Sequence, residues 1–245
     1  MGQWSLPRIV AHRCGGTLAP ENTLIGLEFA LAHGCRGVEF DVMLSVDRTP
    51  ILIHDETLER TTNGRGRVCE TSDATLHALD AGAWRAERFA GERIPFFADA
   101  IRRCRALGIA ANVEIKPAAG FERETGRIAA EVAARGWAGD DRLPVLSSFS
   151  LDALEAAAAA APTLPRAILF DTIPADWALH VRRLGAAGLV CNAKRLTPAV
   201  AASVKQADLM LGVYTENDPE CARALLGWGV DSVITDRPDL LAVLA

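Results

Sequence analysis

The chain has 245 residues with 50% hydrophobic content and a formal net charge of −5, so it can bury one large core, as a single α/β barrel or as two smaller domains. It has no run of five or more Lys or Arg residues, which argues against a nucleic-acid-binding protein but leaves small anionic substrates open. No stretch approaches the roughly 18 to 20 continuous apolar residues of a membrane helix, and the first ten residues show no secretory signal.

The six cysteines are spread through the chain without a Cys-x-x-Cys pair. We expect them to be reduced thiols in a cytoplasmic protein, with disulfides as the alternative. The same features predict no stable membrane association, and they carry no information on the oligomeric state.

Short β-rich runs alternate with Ala- and Leu-rich stretches along the whole chain, and several runs are apolar on both faces, as parallel strands covered by helices are. The predicted strands are Ile9–Arg13, Val38–Leu44, Ile51–His54, Ala111–Lys116, Val145–Phe149, Ala167–Phe170, Leu189–Asn192, Leu211–Thr215 and Ser232–Asp236. Start and stop residues predict helices over Thr23–His33, Ala98–Leu107, Glu124–Arg135 and Leu151–Ala161. Asn22 or Thr23 is the expected N-cap of the first helix.

Nine strands are one too many for a (β/α)8 barrel. Only the stretch SVDRTP separates the second predicted strand from the third, which is far too short for a parallel crossover. We therefore predict an antiparallel hairpin there, which leaves eight parallel strands in a TIM barrel. Residues 1–245 then form a single domain, and residues 45–96 are an insertion after the second strand rather than an independent domain.

A TIM barrel carries its reactive groups at the carboxyl ends of its strands. Glu39 and Asp41 are two positions apart on one strand, as are Glu114 and Lys116 on another, so each pair faces one way. The polar residues expected to meet at the barrel mouth are His12, Arg13, Glu39, Asp41, His54, Glu114 and Lys116. Phe149 and Tyr214 end strands at the same mouth and are candidate walls of a substrate pocket, with packed core aromatics as the equal alternative.

Taken singly, each polar residue has an ordinary structural explanation, such as a hydrogen-bonded histidine or a surface ion pair. Together they indicate chemistry, because three inward carboxylates repel one another and need a counter-charge. Ligands that are all oxygen favour a hard divalent ion such as Mg²⁺ or Ca²⁺. The histidines are then free for proton transfer, and the Arg and Lys side chains suit a phosphoryl group. The pattern indicates phosphodiester cleavage.

The stretches AHRCGGTLAPENT, VEFDV, ILIHDETLERTTNGRG, NVEIKP and VITDRPD resemble, in this order, the signature of the glycerophosphodiester phosphodiesterase family, from about Trp4 to Asp239. LSSF, VYTEND and WGVDSVITD are similar in particular to its bacterial cytoplasmic members. The resemblance implies metal-dependent hydrolysis of deacylated phospholipids, such as glycerophosphocholine and glycerophosphoethanolamine, to sn-glycerol 3-phosphate and an alcohol. It implies specificity for the glycerophosphoryl half and tolerance of varied alcohols, and no second charged cluster is evident that would bind the alcohol.

The resemblance also implies a role for each residue: acid/base catalysis by His12 and His54, metal binding by Glu39, Asp41 and Glu114, and phosphate contacts by Arg13 and Lys116. Two positions depart from the family pattern. Cys14 stands where the family usually has Gly, and Arg48 lies in a turn where it typically has Asp-Gly. If position 14 needs a positive φ, the Cys14 side chain could perturb the site. A passive role is expected for its thiol, with a reactive, lowered-pKa thiol as the alternative.

Three other functions are alternatives at this stage. A related phospholipase-type phosphodiesterase or lyase would act on lipid, but no basic amphipathic helix for membrane docking is evident. A non-catalytic barrel would bind phosphodiesters without cleaving them, although no histidine or carboxylate of the family pattern is missing. A metal-dependent aldolase barrel would share the carboxylates and the Arg but would leave the two flanking histidines unexplained.

Overall fold

Nine strands and nine α-helices occur in residues 4–245, the part of the chain that the computed structural model describes. The strands are β1 (Ile9–Ala11), β2 (Gly37–Leu44), β3 (Pro50–Leu52), β4 (Ala110–Ile115), β5 (Val145–Ser148), β6 (Arg166–Phe170), β7 (Gly188–Asn192), β8 (Met210–Tyr214) and β9 (Ser232–Thr235). The helices are α1 (Leu24–Ala32), α2 (Asp73–Ala78), α3 (Phe97–Leu107), α4 (Glu122–Gly136), α5 (Leu151–Ala160), α6 (Trp177–Leu184), α7 (Pro198–Gln206), α8 (Pro219–Gly227) and α9 (Pro238–Leu241).

Eight of these strands form a closed parallel ring, because β1 pairs with β9 on one side and with β2 on the other. Strand β3 lies outside the ring and runs antiparallel to β2, with Leu52 opposite Val42. β1 ends at Ala11 opposite Val38, so the last residues of β2 have a free edge that β3 covers. The predicted TIM barrel with a hairpin after its second strand is confirmed.

Several predicted strands are too long at their carboxyl ends. β1 ends at Ala11 and β3 ends at Leu52, so His12, Arg13 and His54 lie in the loops that follow the strands rather than in the strands themselves. Loop residues at the carboxyl edge of a barrel still face its mouth.

The predicted carboxyl-terminal end is correct for α3, at Leu107, and one residue short for α4. Gly108 adopts the left-handed conformation that ends α3. Gly136 instead belongs to α4, and Trp137 is the residue that caps this helix. None of the helices within residues 4–245 combines the length and the apolar character needed to cross a lipid bilayer.

The hairpin and the segment after it have a buried cluster that continues from the barrel. Met43 of β2 and Ile51 of β3 pack in one hydrophobic cluster with Leu58, Val68 and Leu76 of the segment between β3 and α3. β3 and this segment are therefore anchored on β2, the strand that carries two of the predicted metal ligands. The hydrogen bond from the Ile53 backbone N–H to the Asp41 carbonyl, 3.2 Å long, extends this pairing toward the barrel mouth.

Candidate active site

Three carboxylates lie together at the mouth of the barrel, on β2 and β4. The strand register places Asp41 beside Glu114. Glu39, two residues before Asp41 and on the same face of β2, lies beside Asn112. One oxygen atom from each of the three carboxylates lies within 4.8 Å of the others. Glu39 and Asp41 are almost completely buried. Three converging carboxylate oxygens are a ligand set that hard divalent cations prefer.

These carboxylates disfavour one another's ionisation. Burial, followed by the charges of Asp41 and Glu114, raises the pKa of Glu39 well above its usual value. Burial and the Asp41 charge likewise raise the pKa of Glu114 to about 7, against the opposing effect of Lys116, whose Nζ lies 3.3 Å from Glu114 Oε1. A cation bound here would offset this repulsion, so the charge pattern fits a metal site.

Unpaired polar atoms in the same place fit a bound ligand as well. Within residues 4–245, Glu39 Oε1 is buried without a hydrogen-bond partner, and so are both carboxamide atoms of Asn112. An unpaired buried polar group costs about 1–3 kcal/mol. The Asn112 side chain was not identified from the sequence, although it precedes Glu114 by two residues and therefore faces the same side of β4.

Arg13 contacts the carboxylates through its backbone and its side chain. Its backbone N–H donates to Glu39 Oε2 at 2.9 Å, and its Nε lies 3.8 Å from Asp41 Oδ2. Its Nη1 donates to Glu21 Oε1 at 2.9 Å. The guanidinium group therefore lies beside the carboxylate cluster, and Lys116 lies there too, with its Nζ 3.9 Å from Asp41 Oδ1.

His12 lies between the carboxylate cluster and a carboxylate that directly follows the last strand of the barrel. Its Nδ1 is 2.7 Å from Asp236 Oδ1, and its Nε2 is 3.8 Å from Glu39 Oε2. Asn217 holds Asp236 by accepting its backbone N–H at 2.8 Å and by donating to its Oδ2 at 3.3 Å. Burial alone would raise the pKa of Asp236, but its hydrogen bonds with His12 and Asn217 contribute to a pKa below its usual value.

His54 has a carboxylate partner of its own, which belongs to the loop after β3. Its Nδ1 is 2.6 Å from Asp55 Oδ1. Arg60 donates to Asp55 through Nε at 2.5 Å and Nη2 at 3.0 Å, and it also donates twice to Glu21 at 2.8 Å. These Arg60 hydrogen bonds hold the pKa of Asp55 far below its usual range, whereas burial lowers the pKa of His54.

The loop between β1 and α1 surrounds the site rather than serving only to start the helix. Asn22, expected as a possible N-cap, has a φ of +55°, and its Nδ2 donates to Asp41 Oδ2 at 2.8 Å. Its Oδ1 accepts the backbone N–H of Asp41 at 3.1 Å. Thr23 is the N-cap residue, but its hydroxyl donates to the Pro20 carbonyl instead of capping the helix. The Pro-Glu-Asn-Thr stretch therefore orients Asp41 and Arg13.

Cys14 does occupy a backbone conformation that favours glycine, with a φ of 75°. Its side chain is fully buried, and it packs where Gly26 of α1 has no side chain, since a Cβ on Gly26 would lie 2.9 Å from the Cys14 Cβ. Burial raises the pKa of the thiol well above its usual value, which agrees with a passive role. Arg48 in the β2–β3 turn also has a positive φ, of 63°.

All nine residues that the sequence identified line one cleft with a volume of about 240 Å³. Phe149 and Tyr214 are at its rim, with ring centroids 5.7 Å apart in an edge-to-face arrangement. The Tyr214 hydroxyl donates to the Phe170 carbonyl at 3.1 Å, which fixes the pair. Their contact with a substrate stays a prediction, as do the roles of the other seven residues.

The sequence matches the model of the Glycerophosphoryl diester phosphodiesterase family over residues 12–240. It is 30% identical over 238 residues to the glycerophosphodiester phosphodiesterase of Caldanaerobacter subterraneus subsp. tengcongensis, with 95% of each chain covered. Similar solved structures include an Oleispira antarctica phosphodiesterase in complex with the product sn-glycerol-3-phosphate, with a TM-score of 0.92, 36% identity and 98% of each chain covered. Another is the glycerophosphodiester phosphodiesterase of Agrobacterium tumefaciens, with a TM-score of 0.80, 28% identity, and 97% of this chain and 100% of that chain covered. This chain belongs to the glycerophosphoryl diester phosphodiesterase family and is a phosphoric diester hydrolase.

Proposed function

We propose that the enzyme hydrolyses deacylated phospholipids, such as glycerophosphocholine and glycerophosphoethanolamine, to sn-glycerol 3-phosphate and an alcohol. The observation that carries the proposal is one cleft that holds three clustered carboxylates, two of them buried, together with two histidines, each hydrogen-bonded at Nδ1 to a further carboxylate. The product found in the Oleispira antarctica structure, a chain that is 36% identical to this one, supports sn-glycerol 3-phosphate as the product here.

One divalent cation, Mg²⁺ or Ca²⁺, is held in this proposal by Glu39, Asp41 and Glu114. The unpaired Glu39 Oε1 and the raised pKa values of Glu39 and Glu114 support this assignment, because bound positive charge relieves both. When bound, such an ion polarises a phosphoryl oxygen and lowers the pKa of a coordinated hydroxyl. Arg13 and Lys116 stand beside the carboxylates and contact the phosphate.

His12 and His54 transfer the protons. One imidazole takes the proton of the glycerol 2-hydroxyl as that oxygen attacks phosphorus, and the other gives a proton to the leaving alcohol oxygen. Water then opens the resulting cyclic phosphate with the two roles exchanged. Asp236 and Asp55 support this course because each holds an Nδ1, which leaves each Nε2 free to exchange protons with the reacting oxygens.

We also propose that residues 1–245 work as one domain in the cytoplasm, with residues 45–96 as an insertion and without stable membrane association. Support for one domain comes from β3, which pairs with β2, and from the buried cluster that Met43 and Ile51 share with the insertion. Support for the cytoplasm comes from the six cysteines, which are all free thiols, five of them buried.

The test is to incubate the purified protein with glycerophosphocholine or glycerophosphoethanolamine and Mg²⁺ or Ca²⁺, and to measure sn-glycerol 3-phosphate with a coupled dehydrogenase. We expect turnover that excess chelator abolishes and that Glu39→Gln lowers by at least about 100-fold. The matched control is Glu131→Gln, a partly exposed charge paired with Arg127 on α4, which should retain activity.

Three outcomes would contradict parts of the proposal. Full turnover in excess chelator would exclude the metal role. A cyclic phosphate as the final product would favour the lyase alternative. The absence of turnover of every glycerophosphodiester with either ion would contradict the proposed substrates.

A further inference from the structure

A second cleft opens beside the catalytic cleft and shares Glu114, Lys116 and Phe149 with it. It has a volume of about 420 Å³ and lies between the carboxyl ends of β4 and β5 and the start of α4. Glu56 and Glu122 also line it. A molecule seated at Lys116 can therefore extend from one cleft into the other.

The Glu56 and Glu122 carboxylates differ in whether a cationic side chain pairs with them. Glu56 Oε2 accepts a hydrogen bond from Arg67 Nη2 at 3.1 Å, and both side chains are a little under half exposed. Glu122 is the first residue of α4, and its Oε1 accepts the backbone N–H of Gly120 at 3.1 Å. No cationic side chain within residues 4–245 lies within 4.0 Å of the Glu122 carboxylate. Glu122 therefore brings a negative charge to the second cleft without a paired cation.

Phe149 gives the second cleft an aromatic surface. Its side chain is 48% exposed, which is unusual for an aromatic ring of this size, and Tyr214 holds it edge-to-face. Aromatic rings attract cations through the negative charge over their faces, and quaternary ammonium groups are bound in proteins by such rings. A ring beside carboxylates is complementary to a small organic cation.

The substrate has two ends, and the clefts offer a different setting to each. In the proposed function the glycerol 2-hydroxyl stays at the carboxylate cluster, within the catalytic cleft. The phosphate contacts Lys116, which lies at the boundary between the two clefts. The group on the other ester oxygen then points into the second cleft, on the side of His54, which Glu56 follows by two residues.

We propose that the second cleft binds the alcohol half of the substrate and selects alcohols that carry a positive charge, with an ammonium group over Phe149 and beside Glu122 and Glu56. This inference rests on the proposed function. It narrows the tolerance of varied alcohols that the sequence resemblance implies. A neutral alcohol of the same shape makes neither contact, and an anionic alcohol is repelled by both carboxylates.

The test compares glycerophosphocholine with the 3,3-dimethylbutyl diester of glycerol 3-phosphate, in which carbon replaces the choline nitrogen and the charge is lost. We expect kcat/KM to be about tenfold higher for the choline diester, as a cation over an aromatic ring beside carboxylates allows. Glu122→Gln and Phe149→Leu should each reduce this ratio to about threefold or less. Glu122→Gln should still hydrolyse the neutral diester, because Glu122 lies outside the catalytic cleft.

The matched control is Glu124→Gln, which removes the same charge from the same turn of α4. Glu124 pairs with Arg48 at 3.2 Å and lies outside the second cleft, so the ratio should stay within about twofold of the wild-type value. A wild-type ratio near one, or a ratio that Glu122→Gln leaves unchanged, overturns the inference. An equal loss on both diesters in Glu122→Gln also overturns it, because the cleft would then serve the glycerol half.

A binding measurement separates this inference from the proposed function. Calorimetric titration with phosphocholine and with 3,3-dimethylbutyl phosphate, in the presence of Mg²⁺, needs no turnover. We expect phosphocholine to bind about tenfold more tightly, and Glu122→Gln to remove the difference. Equal affinities overturn the inference. A protein that shows the difference but hydrolyses no diester would contradict the proposed function and leave the charge-selective cleft standing.

Discussion

The two histidines have the same partner type but are supplied by different parts of the molecule. His12 follows β1, and its partner Asp236 follows β9, so both directly follow strands of the closed ring and are neighbours through the β1–β9 pairing. His54 follows β3, outside the ring, and its partner Asp55 is the next residue in the chain. One half of the site is therefore part of the barrel, and the other is carried by the hairpin and the segment after it.

The partners also differ in electrostatic setting. Asp236 is held by Asn217, a neutral side chain, whereas Asp55 is held by Arg60, which binds Glu21 as well. Ion pairs from Arg60 to Glu21 thus link the His54 half to the loop after β1, the loop that also carries His12. In this barrel the strands position one half of the site, and the insertion supplies the other half. The half on the insertion then needs hydrogen bonds and ion pairs of its own to hold its position.

The largest expected effect comes from removing either imidazole. His12→Ala and His54→Ala should each lower kcat by about 100-fold or more, the scale of general acid–base catalysis. Each variant should bind Mg²⁺ or Ca²⁺ near the wild-type affinity, as measured by calorimetry, because neither histidine is a proposed ligand. Wild-type turnover per folded molecule in either variant would show that its half of the site is structural.

The next largest effect distinguishes the two partners. Asp236→Asn and Asp55→Asn should each lower kcat by about 10- to 100-fold, because both leave an imidazole without the carboxylate that fixes its orientation. Only Asp55→Asn should also lower the melting temperature clearly, since it leaves Arg60 with one carboxylate partner instead of two. Parallel kcat and melting data on both variants check this. Equal losses of melting temperature would mean that the halves are anchored alike.

A smaller effect is expected from replacing Arg60, the side chain that holds Asp55 in position. Arg60→Gln removes the ion pairs of the His54 half and leaves the His12 half intact. Because the Arg60 side chain is 43% exposed, we expect a loss of unfolding free energy of about 1 kcal/mol or less and a kcat reduction below about tenfold. The matched control is Arg123→Gln, an exposed Arg paired with Glu155 outside the site. An unchanged kcat in Arg60→Gln would show that Asp55 needs no anchor.

The barrel half was the easier one to predict from the sequence. Parallel strands that end in polar residues meet at one mouth whatever the details of packing, so His12, Glu39, Asp41 and Glu114 could be placed together. Asp236 also ended a predicted strand, and the same rule applied to it would have identified the partner of His12. It went unnoticed because an Asp before Arg and Pro equally suits the start of a helix.

The residues that could not be predicted act across long separations in the chain. Asn22 has the local pattern of a helix cap, and only the folded barrel brings it to Asp41. Glu56 and Glu122 are 66 positions apart, and they line one cleft because the segment after β3 and the start of α4 meet beside the carboxyl ends of β4 and β5. No periodicity in the sequence predicts that these two residues lie close together, because their proximity depends on how the insertion packs against the barrel. For this reason the sequence showed no second charged cluster.

The smallest expected effect is a change in stability with pH that arises from the clustered carboxylates, and its sign follows from their pKa values. Burial raises the pKa of Glu114 to about 7 and that of Glu39 in the same direction, above unfolded values near 4.3. The folded, metal-free protein therefore binds more protons than the unfolded chain between about pH 4.3 and 7, and it loses stability as pH rises through that window. Asp55 has the opposite sign, because its lowered pKa gives stability that is present above about pH 3.9 and lost below it.

We therefore expect the metal-free melting temperature to fall by about 3 °C or more between pH 5 and pH 7.5. Glu114→Gln should reduce this fall, because a neutral amide does not titrate. The increase in melting temperature caused by Mg²⁺ or Ca²⁺ should be larger at pH 7.5 than at pH 5, since the ion then binds ionised ligands without displacing protons. A metal-free fall of the same size in Glu114→Gln would show that the pH effect arises elsewhere. A metal-induced increase that does not depend on pH would mean that the three carboxylates are not the ligands.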